Sequence, residues 1–182
     1  MSRRLSWLAA LGVALAGCSA TPATPIATVA HVDLPRFMGD WYVIACIPTA
    51  IEREAHNAVE SYRLDERDRI ATTFRFRVGG PDGREKVYRP TGFVRDRASN
   101  AVWGMQFIWP IKADFRIVYV DPDYTQTIIG RQARDYVWIM ARRPDLADAD
   151  YARLLERVRA QGYDVTRIRR VPQHWPAAEP RP

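Results

Sequence analysis

Between Trp41 and Arg142 the chain is a succession of short runs rich in aromatic and β-branched residues. Each run is closed by a turn signal, and none is separated from the next by a helix. The clearest is Thr73 to Val78, where Phe74, Phe76 and Val78 alternate with Arg75 and Arg77. A strand with that pattern has one dry face and one wet face. Gly79-Gly80-Pro81-Asp82-Gly83 turns the chain behind it. The other runs are Trp41 to Ile47, Ala58 to Leu64, Glu85 to Val94, Ala101 to Phe107, Phe115 to Val120, Thr125 to Arg131 and Tyr136 to Arg142. Eight antiparallel strands, mostly hairpin-linked, define an all-β fold that is either a sandwich or an up-and-down barrel. The pattern alone does not separate the two.

One helix follows the strands. Tyr151, Leu154, Leu155 and Val158 recur at helical spacing with arginines opposite, and Gly162 is placed to end the helix. A single apolar stripe of this kind packs against the outside of a sheet. Asp164 to Arg169 reads as a last short strand.

The first residues carry an address. Arg3 and Arg4 precede a short apolar stretch, Leu5 to Ala16, too short to cross a bilayer, which takes about twenty residues. It suits a secretory signal. Leu15-Ala16-Gly17-Cys18 resembles the lipobox of bacterial lipoproteins, in which the cysteine thiol receives a diacylglycerol and the chain is cut before it. The resemblance implies a signal peptide over 1–17 and lipidation at Cys18. With Ser19, not aspartate, after the cysteine, it also implies delivery to the outer membrane, on its periplasmic side. Residues 18–30, small and Pro-containing, read as an acylated N-terminus and flexible tether. The folded domain spans 31–174, and 175–182 reads as a loose, Pro-rich tail.

Charge and cysteine content narrow the function. The 182 residues have a formal net charge of +6, falling to +4 once Arg3 and Arg4 are removed with the leader. The excess is spread along the chain without a dense basic run, so nucleic acid is not the partner it suggests, whereas mild attraction to an anionic membrane surface is. With Cys18 assigned to lipid, Cys46 has no partner for a disulfide, and within the apolar run IACI it reads as a buried, inert thiol.

Three segments resemble the signature regions of the lipocalin family. Gly39-Asp40-Trp41-Tyr42 matches its G-x-W-Y, after Leu34 to Met38 in the place of the short helix that plugs the barrel floor. Val118 to Tyr124 matches a hydrophobic strand ending in an aspartate turn at Asp121. Trp138 to Pro144 matches the closing strand with its R-x-P ending, Arg142 and Pro144. The resemblance covers roughly residues 31 to 174 and implies an eight-stranded calyx with one C-terminal helix packed outside. In this family Arg142 packs over the Trp41 ring, so the signature residues are structural. Within the family the lipobox, Ile47-Pro48-Thr49 and Arg134 to Trp138 point to outer-membrane bacterial lipocalins and their apolipoprotein D-like relatives.

The resemblance implies a non-enzymatic protein that binds a small lipophile, a fatty acid, lysophospholipid or similar lipid, and sits at the membrane through its lipid anchor. It also leaves a homodimer possible. By strand parity Phe74 and Phe76 share a face, as do Phe115, Ile117 and Tyr119, and Tyr136, Trp138 and Met140. The family places Trp138 inside the calyx. With Phe107 and Trp109 at the mouth these are the candidate ligand contacts, although any of them can equally serve core packing. Arg89 and Arg116 are candidates to meet an anionic headgroup. His31, His56 and His174 are scattered, so no metal or cofactor is implied, and no nucleophile, phosphate-loop or dinucleotide motif is present. The competing reading is an anchored barrel acting as a scaffold or dimerisation module. A packed lumen favours that reading, whereas a wide apolar lumen with an open mouth favours lipid binding.

Overall fold

The structure is a computed structural model and describes residues 24–175. The lipobox, Cys18 and the tail beyond Trp175 lie outside the described residues. A short helix α1 (Leu34–Phe37) precedes strands β1 (Gly39–Ile47), β2 (Ala55–Leu64), β3 (Ile70–Val78), β4 (Glu85–Tyr88), β5 (Thr91–Val94), β6 (Val102–Ile108), β7 (Ile111–Val120), β8 (Gln126–Gly130) and β9 (Val137–Ala141). Helix α2 (Asp148–Ala160), a 3₁₀ turn (Val165–Arg167) and strand β10 (Arg169–Arg170) complete it. All strand pairs are antiparallel, and β1 pairs with β9 as well as β2, so the sheet closes on itself. This is a barrel and not a sandwich.

Eight strands form the wall because β4 and β5 are two halves of the run expected over Glu85 to Val94. Pro90 breaks it, since proline has no N–H for the ladder. Strand β7 starts four residues earlier than its alternation suggests, so Trp109-Pro110 is the tip of a tight hairpin. The strand expected over 164–169 is instead the 3₁₀ turn, followed by β10, which pairs Arg169 and Arg170 with Cys46 and Ala45. Helix α2 ends as expected: Gly162 has φ +85°, a conformation a side chain disfavours.

The folded part also begins earlier than His31. Thr24 to Ala30 lies along the barrel wall instead of forming free tether. Ile26 is buried and its N–H donates to Gln132 Oε1 at 3.1 Å, and the Val29 N–H donates to the Ile117 carbonyl at 3.1 Å.

Two apolar clusters result. One fills the lower lumen, with Phe37, Trp41, Tyr62, Trp103 and Phe115 among its rings. The other lies between α2 and the outer face of the wall, where Leu154 and Val158 meet Ile44, Ile128 and Ile139. At the floor, the Trp41 indole N–H donates to the Phe37 carbonyl at 2.8 Å. The Arg142 guanidinium lies 3.8 Å from the Trp41 ring centroid and donates to the carbonyls of Arg36, Phe37, Met38 and Asp40. It therefore satisfies the open carbonyls at the end of α1 while stacking on the indole. Gly39, with φ +97°, admits that guanidinium: a Cβ there would lie 3.2 Å from Arg142 Nη1. Asp121 closes the turn after β7 by accepting from the N–H groups of Thr125 and Gln126, each at 2.7 Å. Tyr42 points outward, edge-on to Trp175 at 5.4 Å, and Pro144 sits in the bend before α2.

Candidate functional site

Above the aromatic floor the lumen stays open. A cavity of about 390 Å³ occupies the upper barrel, within the range of small-molecule sites. Its apolar wall comes from Phe74 on β3, Met105 and Phe107 on β6, Phe115 on β7, Tyr136 before β9 and Trp138 on β9, with Ile51 and Pro90 nearer the rim. Period-two alternation on these strands sends every second side chain inward, and the bulkiest of these leave a shaft between them.

Of the candidates drawn from sequence, Phe74, Phe107, Tyr136 and Trp138 meet at this cavity. Phe76 stands behind Phe74, with ring centroids 5.1 Å apart, and Met140 is fully buried in the lower cluster without lining the cavity. Two candidates are elsewhere. Tyr119 lies on the outer face, with the Arg157 guanidinium 4.3 Å over its ring. A bulge in β7 places Val118 between the partners of Ile129 and Ile128, and one extra residue reverses the parity that would have put Tyr119 inside. Trp109 caps the β6–β7 hairpin in solvent instead of lining the mouth. The arginines also differ from expectation. Arg89 is exposed and off the cavity, and Arg116 is held by Asp114, with Nε to Oδ2 at 2.9 Å. The guanidinium on the cavity is that of Arg131. Its Nη1 is 3.2 Å from Asp135 Oδ2, while its Nε is buried with no partner among the described residues.

Two acids in the wall had no counterpart in the sequence reading. Glu52, buried in the loop after β1, accepts from the Trp138 indole N–H at 2.8 Å and from the Thr49 N–H at 3.0 Å. It thereby fixes the orientation of the largest ring in the cavity. Glu60 on β2 accepts from the Tyr62 hydroxyl and lines the cavity. Burial pushes its carboxyl up to about 7, opposed by the Tyr62 bond and reinforced by Glu52. The Tyr62 phenol is held well above its usual range, by burial first and then by Glu60. The one signal that marks Glu60 is its pairing with Trp41 across β1–β2, which puts it on the inward face, and that register is not written in either strand alone. Cys46 is free and buried. Burial, with Glu52 and Glu60 adding, pushes its thiol up to about 12, which makes it unreactive.

A closed antiparallel barrel of eight strands, plugged at one end, open over an apolar shaft at the other and flanked by one helix, defines a calyx-type binding protein. A family model described as a lipocalin-like domain matches residues 32–173, and the chain belongs to the lipocalin family, whose members bind small hydrophobic ligands and are in general non-catalytic. It is 26% identical to temperature-induced lipocalin-1 of Arabidopsis thaliana over 153 residues, covering 80% of this chain and 81% of that protein. It is 25% identical to the outer membrane lipoprotein Blc of Escherichia coli (strain K12) over 151 residues, covering 82% and 84%. Among solved structures, the fold is similar to insecticyanin from the tobacco hornworm Manduca sexta (TM-score 0.65, 13% identity, 84% of this chain and 86% of that one). It is also similar to the cockroach allergen Per a 4 (TM-score 0.62, 19% identity, 85% and 97%).

Proposed function

We propose that this lipocalin is anchored through lipidated Cys18 to the periplasmic side of the outer membrane. There it holds one single-chain lipid, a fatty acid or lysophospholipid, in its upper lumen for storage or transport. The observation that carries the reading is the shaft itself: apolar on most of its wall, open at one end, and bearing one guanidinium, Arg131, near the rim. A tail of CH₂ groups gains about 0.8 kcal/mol per group buried there. Glu60 and Glu52 disfavour a carboxylate in the depth, so an anionic head stays outward near the Arg131 guanidinium, which borders the cavity. The lipobox-like Leu15 to Cys18 and the similarity to outer membrane lipoproteins named Blc support the address.

The test is a titration of the chain from Ser19 onward with a fluorescent fatty acid, followed by competition with lysophosphatidylethanolamine. Saturation at one probe per chain and full displacement are expected. Failure to bind either lipid contradicts the ligand, leaving the barrel as a scaffold. Metabolic labelling with radioactive palmitate, lost in Cys18→Ser, tests the anchor separately.

A further inference from the structure

At the end of the barrel where the cavity opens, the wall carries an apolar projection that stands largely exposed. In the β6–β7 hairpin tip, Ile108 is 72% exposed, Trp109 82% and Ile111 68%, and the adjoining Phe107, which lines the cavity, is 51% exposed. Four large apolar residues in five consecutive positions are not the scattered exposure of an ordinary surface. Across the mouth, Ile51 is also exposed. The exposed cation beside the tip is Arg89, two residues mouthward of the Thr91–Gln106 pair on the neighbouring strand, whereas Lys112, which follows the tip directly, lays its ammonium 3.6 Å over the Phe93 ring.

The N-terminal segment leads to the same end. It runs up the wall from α1, through the Val29–Ile117 bond, to Thr24, whose carbonyl accepts from Arg134 Nη2 at 3.0 Å and from Gln132 Nε2 in the β8–β9 loop. Gln132 donates its N–H to Asp114 at 2.7 Å, and Asp114 is three residues along β7 from Ile111. Thr24 is therefore about 10 Å, measured along the strand, from the tip. Five residues lie between Cys18 and Thr24, and the six steps from one to the other span at most about 20 Å.

We propose that the barrel docks mouth-down on an anionic lipid bilayer. In that pose Ile108, Trp109 and Ile111 enter the interface, Arg89 meets headgroup phosphates, and the cavity opens onto the membrane surface. The pose rests on the anchor and ligand described above. A lipid attached at Cys18 tethers the chain at the end of the barrel that opens, nearer the mouth than the floor. Trp109 sits where aromatic rings favour the boundary between headgroup and acyl chain. A single-chain lipid then passes between bilayer and shaft past Phe107 without crossing open water.

The test uses the full lipidated chain, reconstituted in phosphatidylethanolamine–phosphatidylglycerol vesicles with or without bromine near the acyl carbonyl. The Trp109 signal is the difference between the wild-type chain and Trp109→Phe. We expect bromine to reduce that signal about twofold or more, as for a ring at the interface, and the quenching to vanish in Ile108→Ser/Ile111→Ser. Uptake of a fluorescent fatty acid and co-flotation are read on the same vesicles. An unquenched Trp109 on protein that floats and takes up fatty acid overturns the pose while leaving the ligand reading intact. Quenching without fatty acid uptake supports the pose and overturns the ligand. Protein that does not float removes the anchor and the pose with it. Tip-to-tip cross-links with Trp109 unquenched replace the bilayer by a second copy of the chain.

Discussion

At the floor of the barrel, Phe37, Trp41 and Trp103 pack ring on ring with Tyr62, and Arg142 ties five main-chain carbonyls and the Trp41 ring into one joint. At the mouth, Trp138 leans on a buried acid, Arg131 Nε is buried without a partner among the described residues, and Ile108, Trp109 and Ile111 face outward. Every polar group named at the floor is satisfied and every ring is enclosed, as a part must be whose role is to close the barrel. The mouth leaves apolar area and hydrogen-bonding capacity uncommitted, which a finished core would not do. Stability therefore concentrates at one end and binding at the other, and each substitution should disturb mainly one of them.

The largest effect is expected at the floor. Trp41→Ala removes a fully buried ring and the surface on which Arg142 stacks, and should lower stability by about 3–5 kcal/mol in urea unfolding. Ligand affinity, scored on the folded fraction, should change little. A variant of normal stability that no longer binds would dissolve the division between the two ends. At the mouth, Trp138→Arg should do the reverse. It puts a charge in the shaft beside Glu52, and should weaken fatty acid binding about a hundredfold while moving the unfolding midpoint by no more than a few degrees.

Glu60 sits at the seam between the two regions, and its effect depends on pH. Its carboxyl is raised from 4.5 to about 7 in the fold, so the folded chain binds that proton more tightly than the unfolded one. The contribution is fully present below pH 4.5 and is lost as pH rises toward 7. Glu60→Gln removes the loss, and should gain up to about 3 kcal/mol over the wild type between pH 4.5 and pH 8, read from paired urea midpoints. An equal difference at both pH values would place Glu60 in contact with bulk water. The smallest effect belongs to neither end. Tyr119→Ala, on the outer face under Arg157, should cost about 1 kcal/mol and leave ligand binding unchanged.

The same division explains which features the sequence showed and which it hid. The floor is legible because its parts are local and unusual: a glycine that must adopt positive φ, the tryptophan two residues later, and an arginine at the end of the last wall strand. The wall strands are legible from alternation, and their ends from proline and glycine. What stayed hidden depends on register. The bulge at Val118 turned Tyr119 outward, and the β1–β2 pairing turned Glu60 inward. Arg131 could not be told from the other arginines, because only the closed barrel brings it to the cavity. Trp109 is an aromatic in a run of aromatics, and nothing in the run marks the residue at which the hairpin turns.

The most direct test of the central claim, an apolar shaft that takes one lipid, is native mass spectrometry of the chain from Ser19 onward, purified from a bacterial host, with the bound lipid extracted and identified. The account predicts one fatty acid or lysophospholipid per chain, retained in Tyr119→Ala and absent in Trp138→Arg. A chain that emerges empty and takes up neither added fatty acid nor lysophospholipid would contradict it, leaving a lipocalin barrel whose open mouth serves some purpose other than holding lipid.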